Sequence, residues 1–432
     1  MTSKPAGASA SLADTDFSGD AQANTLGGVM RAYVERIRGG DMGSLPAVLG
    51  LVVLFIVFSA VRPDTFPSTL NLANLITQAG AICVLAMGLV PVLLLGDIDL
   101  SAGVAGGACA AVMAVLMYDY GLNWALAVLA ALVCGAAIGL VIGLLVALLG
   151  VPSFVVTLAF FLGLQGVTLA VVGQGGSIPV REGASGPIYD IANNNMPVLA
   201  GWVAVVVILA CYAAISLAGH RKLVRADLQR PPLELVVAKI AGLSIILLGA
   251  TYLLSQNRAV SRVAAVEAPA NEGFPWVVPL VGVLLVGWTF VFSRTVYGRY
   301  VYAVGGNREA ARRAGIDVTR IRISVFMICT MMAAISGIIA ASRQNGVDPG
   351  AGGGNVLLYA VGAAVIGGTS LFGGKGKIRD AIIGGLVIAT IANGLGLLAS
   401  DAYINFLVTG GVLLLAASVD AISRRRRSAA GL

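Results

Sequence analysis

RTVYGRYVYAVGGNREAARRAGIDVTRIR, Arg294 to Arg322, is a polar island with seven arginines between two long apolar runs. Only Glu309 and Asp317 offset that charge. Asn307 follows Gly305 and Gly306 and opens the run Arg308-Glu309-Ala310-Ala311-Arg312-Arg313-Ala314, which Gly315 closes. Asn at the N-cap and Gly just past the last turn are start and stop signals, so this spacing predicts a helix of about two turns. Glu309 stands three and four residues before Arg312 and Arg313, a spacing that supports a helix by a few tenths of a kcal/mol per pair. A short charged helix between two apolar spans suits a docking surface. The plain alternative is a solvated loop that only fixes topology.

The composition explains why the flanking runs must lie in a bilayer. Of 432 residues, 58% are hydrophobic and 11% charged, with a mean hydropathy of +0.91; soluble proteins carry about 25% charged residues. The chain therefore reads as an all-α integral membrane protein. Its net charge of +7 sits mostly in loops, which points to orientation in a lipid membrane and away from nucleic acid. Glycine occupies 56 positions, close to twice the usual ~7%, and small residues let membrane helices approach closely. The five cysteines lie inside apolar runs at no metal-ligand spacing. They read as packing residues, and neither a metal nor a cofactor is expected.

Taken in order, residues 1–43 read as a polar, partly disordered tail. Met30, Tyr33, Val34 and Ile37 share one face of an amphipathic helix within it. Residues 44–420 form the membrane domain, and 421–432 a basic tail. Twelve apolar runs are candidate spans: 47–61, 72–95, 101–117, 124–149, 153–172, 198–217, 235–254, 276–292, 323–342, 356–366, 381–398 and 404–419. The first and tenth are short for a core of about 30 Å, so ten to twelve helices are expected. An even count with both termini cytoplasmic puts the basic loops 220–232, 294–322 and 375–379 on one side, as the positive-inside tendency requires.

Polar groups within the runs are the candidate site residues. Asp97 and Asp99 fall between two runs, with Ser101 next as an expected N-cap. An acid at membrane depth costs about 2.5–3.5 kcal/mol on insertion scales, so it faces water or a partner. A headgroup turn and a pathway lining both stay open for the pair. Pro91 is expected to kink the preceding helix. Phe154 follows the helix-starting Pro152, and Asn393 lies in an apolar helix, where interhelical bonding is the commoner role. Gly135, Gly139 and Gly143 form a small-residue ladder. The Gly367–Gly376 stretch fails as a phosphate loop, because Thr369 and Gly376 stand where Gly and Ser or Thr are needed. With a single histidine, His220 in a basic loop, catalytic chemistry has no obvious apparatus and no enzyme is expected.

Four stretches taken together resemble a known family. GDIDLSAG (Gly96–Gly103), VPSFVVTLA (Val151–Ala159), YGRYVYAVGGNREAARRAGI (Tyr297–Ile316) and IGGTSLFGGKG (Ile366–Gly376) are similar, in this order, to permease subunits of ATP-binding-cassette importers for monosaccharides. The match is nearest the xylose-type members, given the extra basic loop and span at about 219–275. The departure is Asp97, where the family usually has Gly. The resemblance implies a bacterial inner-membrane homodimer, a separate cytoplasmic ATP-binding subunit and a periplasmic sugar-binding protein. It implies coupling through Gly305, Gly306, Asn307, Arg308, Glu309, Ala310, Ala311, Arg312 and Gly315. Asp97, Asp99, Ser101, Phe154 and Asn393 are the expected pathway residues. A stand-alone ion-coupled carrier is the other class, since such carriers also use buried acids and broken helices.

Overall fold

The computed structural model describes residues 43–174, 176–181, 183, 185–226, 231–259 and 271–398, with isolated positions at 27, 28, 31, 403, 404, 406–411, 414, 418 and 421. Most of the amphipathic tail helix and part of the 404–419 run lie outside the described residues. The rest is helical: α1 (Leu45–Val61), α2 (Thr69–Leu94), α3 (Ala102–Tyr118), α4 (Trp124–Ala147), α5 (Ser153–Val172), α6 (Pro187–Asn193), α7 (Val198–Arg225), α8 (Leu233–Ser255), α9 (Val277–Arg294), α10 (Val296–Gly306), α11 (Arg308–Arg313), α12 (Val318–Gln344), α13 (Val356–Gly367) and α14 (Asp380–Leu397). Among the described residues, eight of these are long and apolar enough to cross a membrane, and α1, α3 and α13 are shorter apolar helices. That agrees with the expected polytopic helical bundle.

Two units are distinct. Residues 197–257 form one, in which α7 and α8 pack on each other and leave most of their apolar side chains exposed, as lipid-facing helices do. The other comprises residues 43–196 and 258–422. At its centre α12 packs against α2, α3 and α4, while α2 also meets α13 and α14. Both α2 and α12 bury most of their apolar residues, whereas α4, α5 and α9 turn theirs outward.

Lipid is as apolar as leucine, so close packing rather than the hydrophobic effect holds such helices together. Glycine makes that packing available. Gly135, Gly139 and Gly143 of α4 all face α12, and a methyl at Gly143 would stand 2.8 Å from the Ile323 Cα. At the α2–α12 crossing, a methyl on Gly88 would stand 2.7 Å from Met332 Cβ. Ser336 Oγ also donates to the Ala81 carbonyl there, at 2.7 Å.

Two helices are interrupted, and in corresponding places. The long α2 ends at Leu94, a non-helical turn of residues 95–101 follows, and α3 begins at Ala102. The long α12 ends at Gln344, residues 345–355 are non-helical apart from the two-residue strand Gly346–Val347, and α13 begins at Val356. That strand pairs with Ile178–Pro179. At 1.5 Å per residue the 12-residue α13 spans only about 18 Å, short of the ~30 Å core. On its own it is shorter than the core, as the tenth apolar run is. The two interruptions meet: a side chain on Gly103 would strike the Gly352 carbonyl, and one on Gly107 the Ala351 carbonyl.

Gly139→Ala forces a methyl into the backbone of Phe326 and Met327, whereas Gly163 of α5 has nothing within 4 Å. Gly139→Ala is expected to destabilise by about 1–3 kcal/mol. Gly163→Ala is expected to be neutral or to gain up to ~1 kcal/mol of helix propensity. Unfolding of the purified protein in mixed micelles measures both, and equal effects would contradict this packing.

Candidate functional site

The Arg294–Arg322 stretch folds largely as its residues dictate. Asn307 caps α11, its side chain accepting from the Ala310 N–H at 3.0 Å, and Gly315 takes the left-handed φ of +82°. Glu309 pairs with Arg312 at 3.1 Å. One face of α11, with Glu309, Ala310, Arg312 and Arg313, is exposed. Ala311 points the other way and is 4% exposed within the core. Of the residues expected to dock a partner, Ala311 therefore packs inward against the chain itself.

The base of this stretch is fixed by Asp97. Its carboxylate accepts from Arg322 Nε at 3.0 Å and a terminal nitrogen at 2.9 Å, a bidentate fork of the strong kind. Arg308 reaches the same carboxylate at 3.2 Å and donates to the Leu95 carbonyl at 2.7 Å. Arg322 also donates to the Val146 carbonyl at the end of α4, at 3.2 Å. The Asp97 side chain is only 6% exposed, against 15% for Arg322 and 41% for Arg308. Asp97 thus stands as the shared acceptor of two arginines, well away from the cavity described below.

All four sequence stretches that carry the resemblance converge on the 94–101 turn. The Gly374 N–H donates to the Leu94 carbonyl at 2.9 Å, and Gly305 lies against the same carbonyl with no room for a side chain. The Ile98 N–H donates to Ser153 Oγ at 3.3 Å, and Thr157 Oγ1 donates weakly to the Ile98 carbonyl at 3.4 Å. Tyr302 donates to the Gly376 carbonyl at 2.8 Å. Its phenol is pushed above its ordinary range by burial and by the Asp380 carboxylate, which keeps it a donor.

Asp99 and Ser101 lie deeper. Asp99 is fully buried. One of its oxygens accepts from both the Ser101 N–H (2.9 Å) and the Ser101 hydroxyl (2.6 Å), so Ser101 bonds backward to Asp99 and makes no N-cap bond to α3. Asn393 exchanges two amide hydrogen bonds with Asn71, at 2.9 and 3.0 Å. Phe154 is 55% exposed on α5. None of these four, nor Asp97, lines the cavity enclosed by α2, α3, α12, α13 and α14.

That cavity, about 250 Å³, lies between α2, α3, α12, α13 and α14. Its polar lining is Gln78, Ser336, Arg343, Gln344 and Tyr359, none of which stood out in the sequence. No metal-binding cluster of His, Cys, Asp or Glu occurs among the described residues.

Asp97→Asn strips the counter-charge from a mostly buried Arg322. It is expected to cost about 3 kcal/mol, whereas Arg308→Gln, at the exposed arm, costs no more than about 1 kcal/mol. Denaturant unfolding in micelles compares the two, and equal losses would refute the asymmetric sharing.

Residues 71–222 and 233–417 match the family described as branched-chain amino acid transport system/permease component. The xylose transport system permease protein XylH of Escherichia coli (strain K12) is 33% identical over 382 residues, 88% of this chain and 92% of that protein. The ribose import permease protein RbsC of the same strain is 30% identical over 87% of this chain and 92% of that protein. Its D-allose transport system permease protein AlsC is 42% identical over 138 residues, 32% of this chain and 42% of that protein. No solved structure matches.

Proposed function

The chain belongs to the family of branched-chain amino acid transport system permease components, and from that premise we propose that it is the membrane-spanning subunit of an ATP-driven importer for a monosaccharide, a xylose-like pentose first. The observation that carries the reading is end-to-end similarity to xylose and ribose permeases, together with four motifs packed around one turn. The family implies two partners, an ATP-binding subunit and a periplasmic binding protein. In our reading two copies of this chain form the channel in the inner membrane, with both termini cytoplasmic. What supports that orientation is the basic character of the loops read as cytoplasmic, with Arg221, Lys222 and Arg225 in one and seven arginines in 294–322.

The geometry supports a division of labour. The exposed face of α11 meets the ATP-binding subunit. Asp97 is a positioning residue that ties α11 and the start of α12 to the 94–101 turn. Asp99 and Ser101 hold that turn where it enters α3. A docking helix transmits motion only if it is fixed to what must move, and the Asp97 fork supplies that attachment. An ion-coupled carrier calls for an acid on its pathway; Asp97 is held between two arginines, and Asp99, bonded to Ser101, does not line the cavity.

In reconstituted vesicles loaded with ATP and the cognate ATP-binding subunit, labelled xylose, ribose and allose are the substrates to try, with the binding protein outside. Uptake of one of them only when the ATP-binding subunit is present is the expected result; uptake without it would favour the ion-coupled class. Arg312→Glu with Arg313→Glu reverses two charges on the exposed face without touching the Asp97 fork. It is expected to cut retention of the ATP-binding subunit by at least tenfold, about 1.4 kcal/mol, with membrane insertion intact. Normal retention would show that α11 is a solvated loop.

A further inference from the structure

We propose that the cavity at the meeting of the two interrupted helices is a holding site for one neutral polyhydroxyl solute. The proposal rests on the importer reading and assigns the solute a place inside a single copy of the chain.

The first argument is the backbone. Irregular chain at membrane depth survives only where it is buried in protein or lines a polar cavity, and paired interruptions in two halves mark solute sites in other membrane transport folds. Here α12 ends beside the strand pair of Gly346–Val347 with Ile178–Pro179, and α13 on its own is shorter than the core. The irregular Asp348–Asn355 segment joins them. Its Ala351 and Gly352 line the cavity beside Gly103 and Gly107 of the other interrupted helix, which they touch.

The second argument is the polar lining. Gln78, Arg343, Gln344 and Tyr359 point functional groups at the cavity, and their side chains make no hydrogen bond or ion pair among the described residues. Arg343 and Gln344 are exposed at the end of α12, whereas Gln78 and Tyr359 are half-buried, where an unpartnered polar group gains from a solute or water that satisfies it. Two amides, a phenol and the Ser336 hydroxyl offer donors and acceptors together, which matches hydroxyl groups that do both. No carboxylate lines the cavity and one arginine does, which disfavours cations. A single cation without neighbouring basic groups is poor provision for a phosphate. The remaining wall, with Ile82, Leu85, Val347 and Val356, suits the C–H faces of a sugar ring. A volume of about 250 Å³ equals that of roughly eight waters, room for a monosaccharide and not for an oligomer.

The test uses the full complex in vesicles, with whichever of xylose, ribose and allose the wild type takes up, plus deoxy analogues of that sugar. Tyr359→Phe and Gln78→Leu each remove one neutral hydrogen-bonding group, so each is expected to lower uptake about fivefold, and less for the analogue lacking the matching hydroxyl. Ala340→Trp fills the cavity and is expected to abolish uptake while the ATP-binding subunit stays bound; should that variant fail to fold, the two conservative ones decide. Wild-type rates in both conservative variants, or losses that scale every sugar alike, would overturn the site. If the wild-type complex shows no ATP-dependent uptake of any of these sugars, the importer reading itself falls, a separate outcome.

Discussion

One buried carboxylate, Asp97, answers two arginines that arrive from different segments. Removing three charges from water is expensive, and the fold limits that cost by burying them unequally. Arg322 takes the fork and is largely enclosed, while Arg308 keeps 41% of its side chain exposed. The cluster retains one net positive charge, placed on the exposed arm. Arg308 and Arg322 also bond the carbonyls of Leu95 and Val146, which α2 and α4 leave unpaired at their C-terminal ends. The ion pair therefore closes helix ends as well as joining segments.

Around that point the packing follows from the solvent. With no water to drive helices together, contact area at short range decides association. The central helices α2 and α12 accordingly carry glycine and small residues where they cross each other, α3 and α4. The outer helices spend their large aliphatic side chains on lipid, so Leu162 of α5 and Val283 of α9 are 63% and 70% exposed. This inversion of the water-soluble pattern is the expected state of a helix whose outward surroundings are hydrocarbon.

Much of this was legible in the residues. The spans were readable because apolar length alone marks them, and the α11 boundaries were readable because Asn307 and Gly315 are local signals. The contacts were not. Nothing near Asp97 in sequence indicates that its counter-charges stand 211 and 225 positions later, as Arg308 and Arg322 do. The sequence placed Ser101 as a cap, yet the nearer acceptor on Asp99 took its hydroxyl. Ala311 looked like a small residue on a docking face; a six-residue helix carries too little periodicity to say which side faces inward. The cavity lining escaped notice because Gln78, Arg343 and Tyr359 come from three helices and share no local pattern.

The interruption at 95–101 gives these features a common mechanical meaning. Asp97 sits at the arginine-rich end of the bundle, five residues into α12 by way of Arg322. Asp99, two residues on, touches Cys329, which lies eleven residues past Val318 and so about 16 Å along α12. Gly103 then backs onto Gly352 at the cavity wall. The five residues from Asp97 to Ser101 that lead from the charged surface to the start of α3 are not helical. A helix there would move as a rod with α2 or α3. A turn pinned at one end by Asp97 and at the other by the Asp99–Ser101 bonds can instead shift α3 against α12 when α11 is displaced. Gly106 lies against the Ala333 and Gly337 backbone of α12, while Gly103 and Gly107 lie against Gly352 and Ala351, so α3 meets both with bare backbone at these points. The exposed helix α11, the ion pair, the turn and the cavity are thus neighbours along one short stretch of structure.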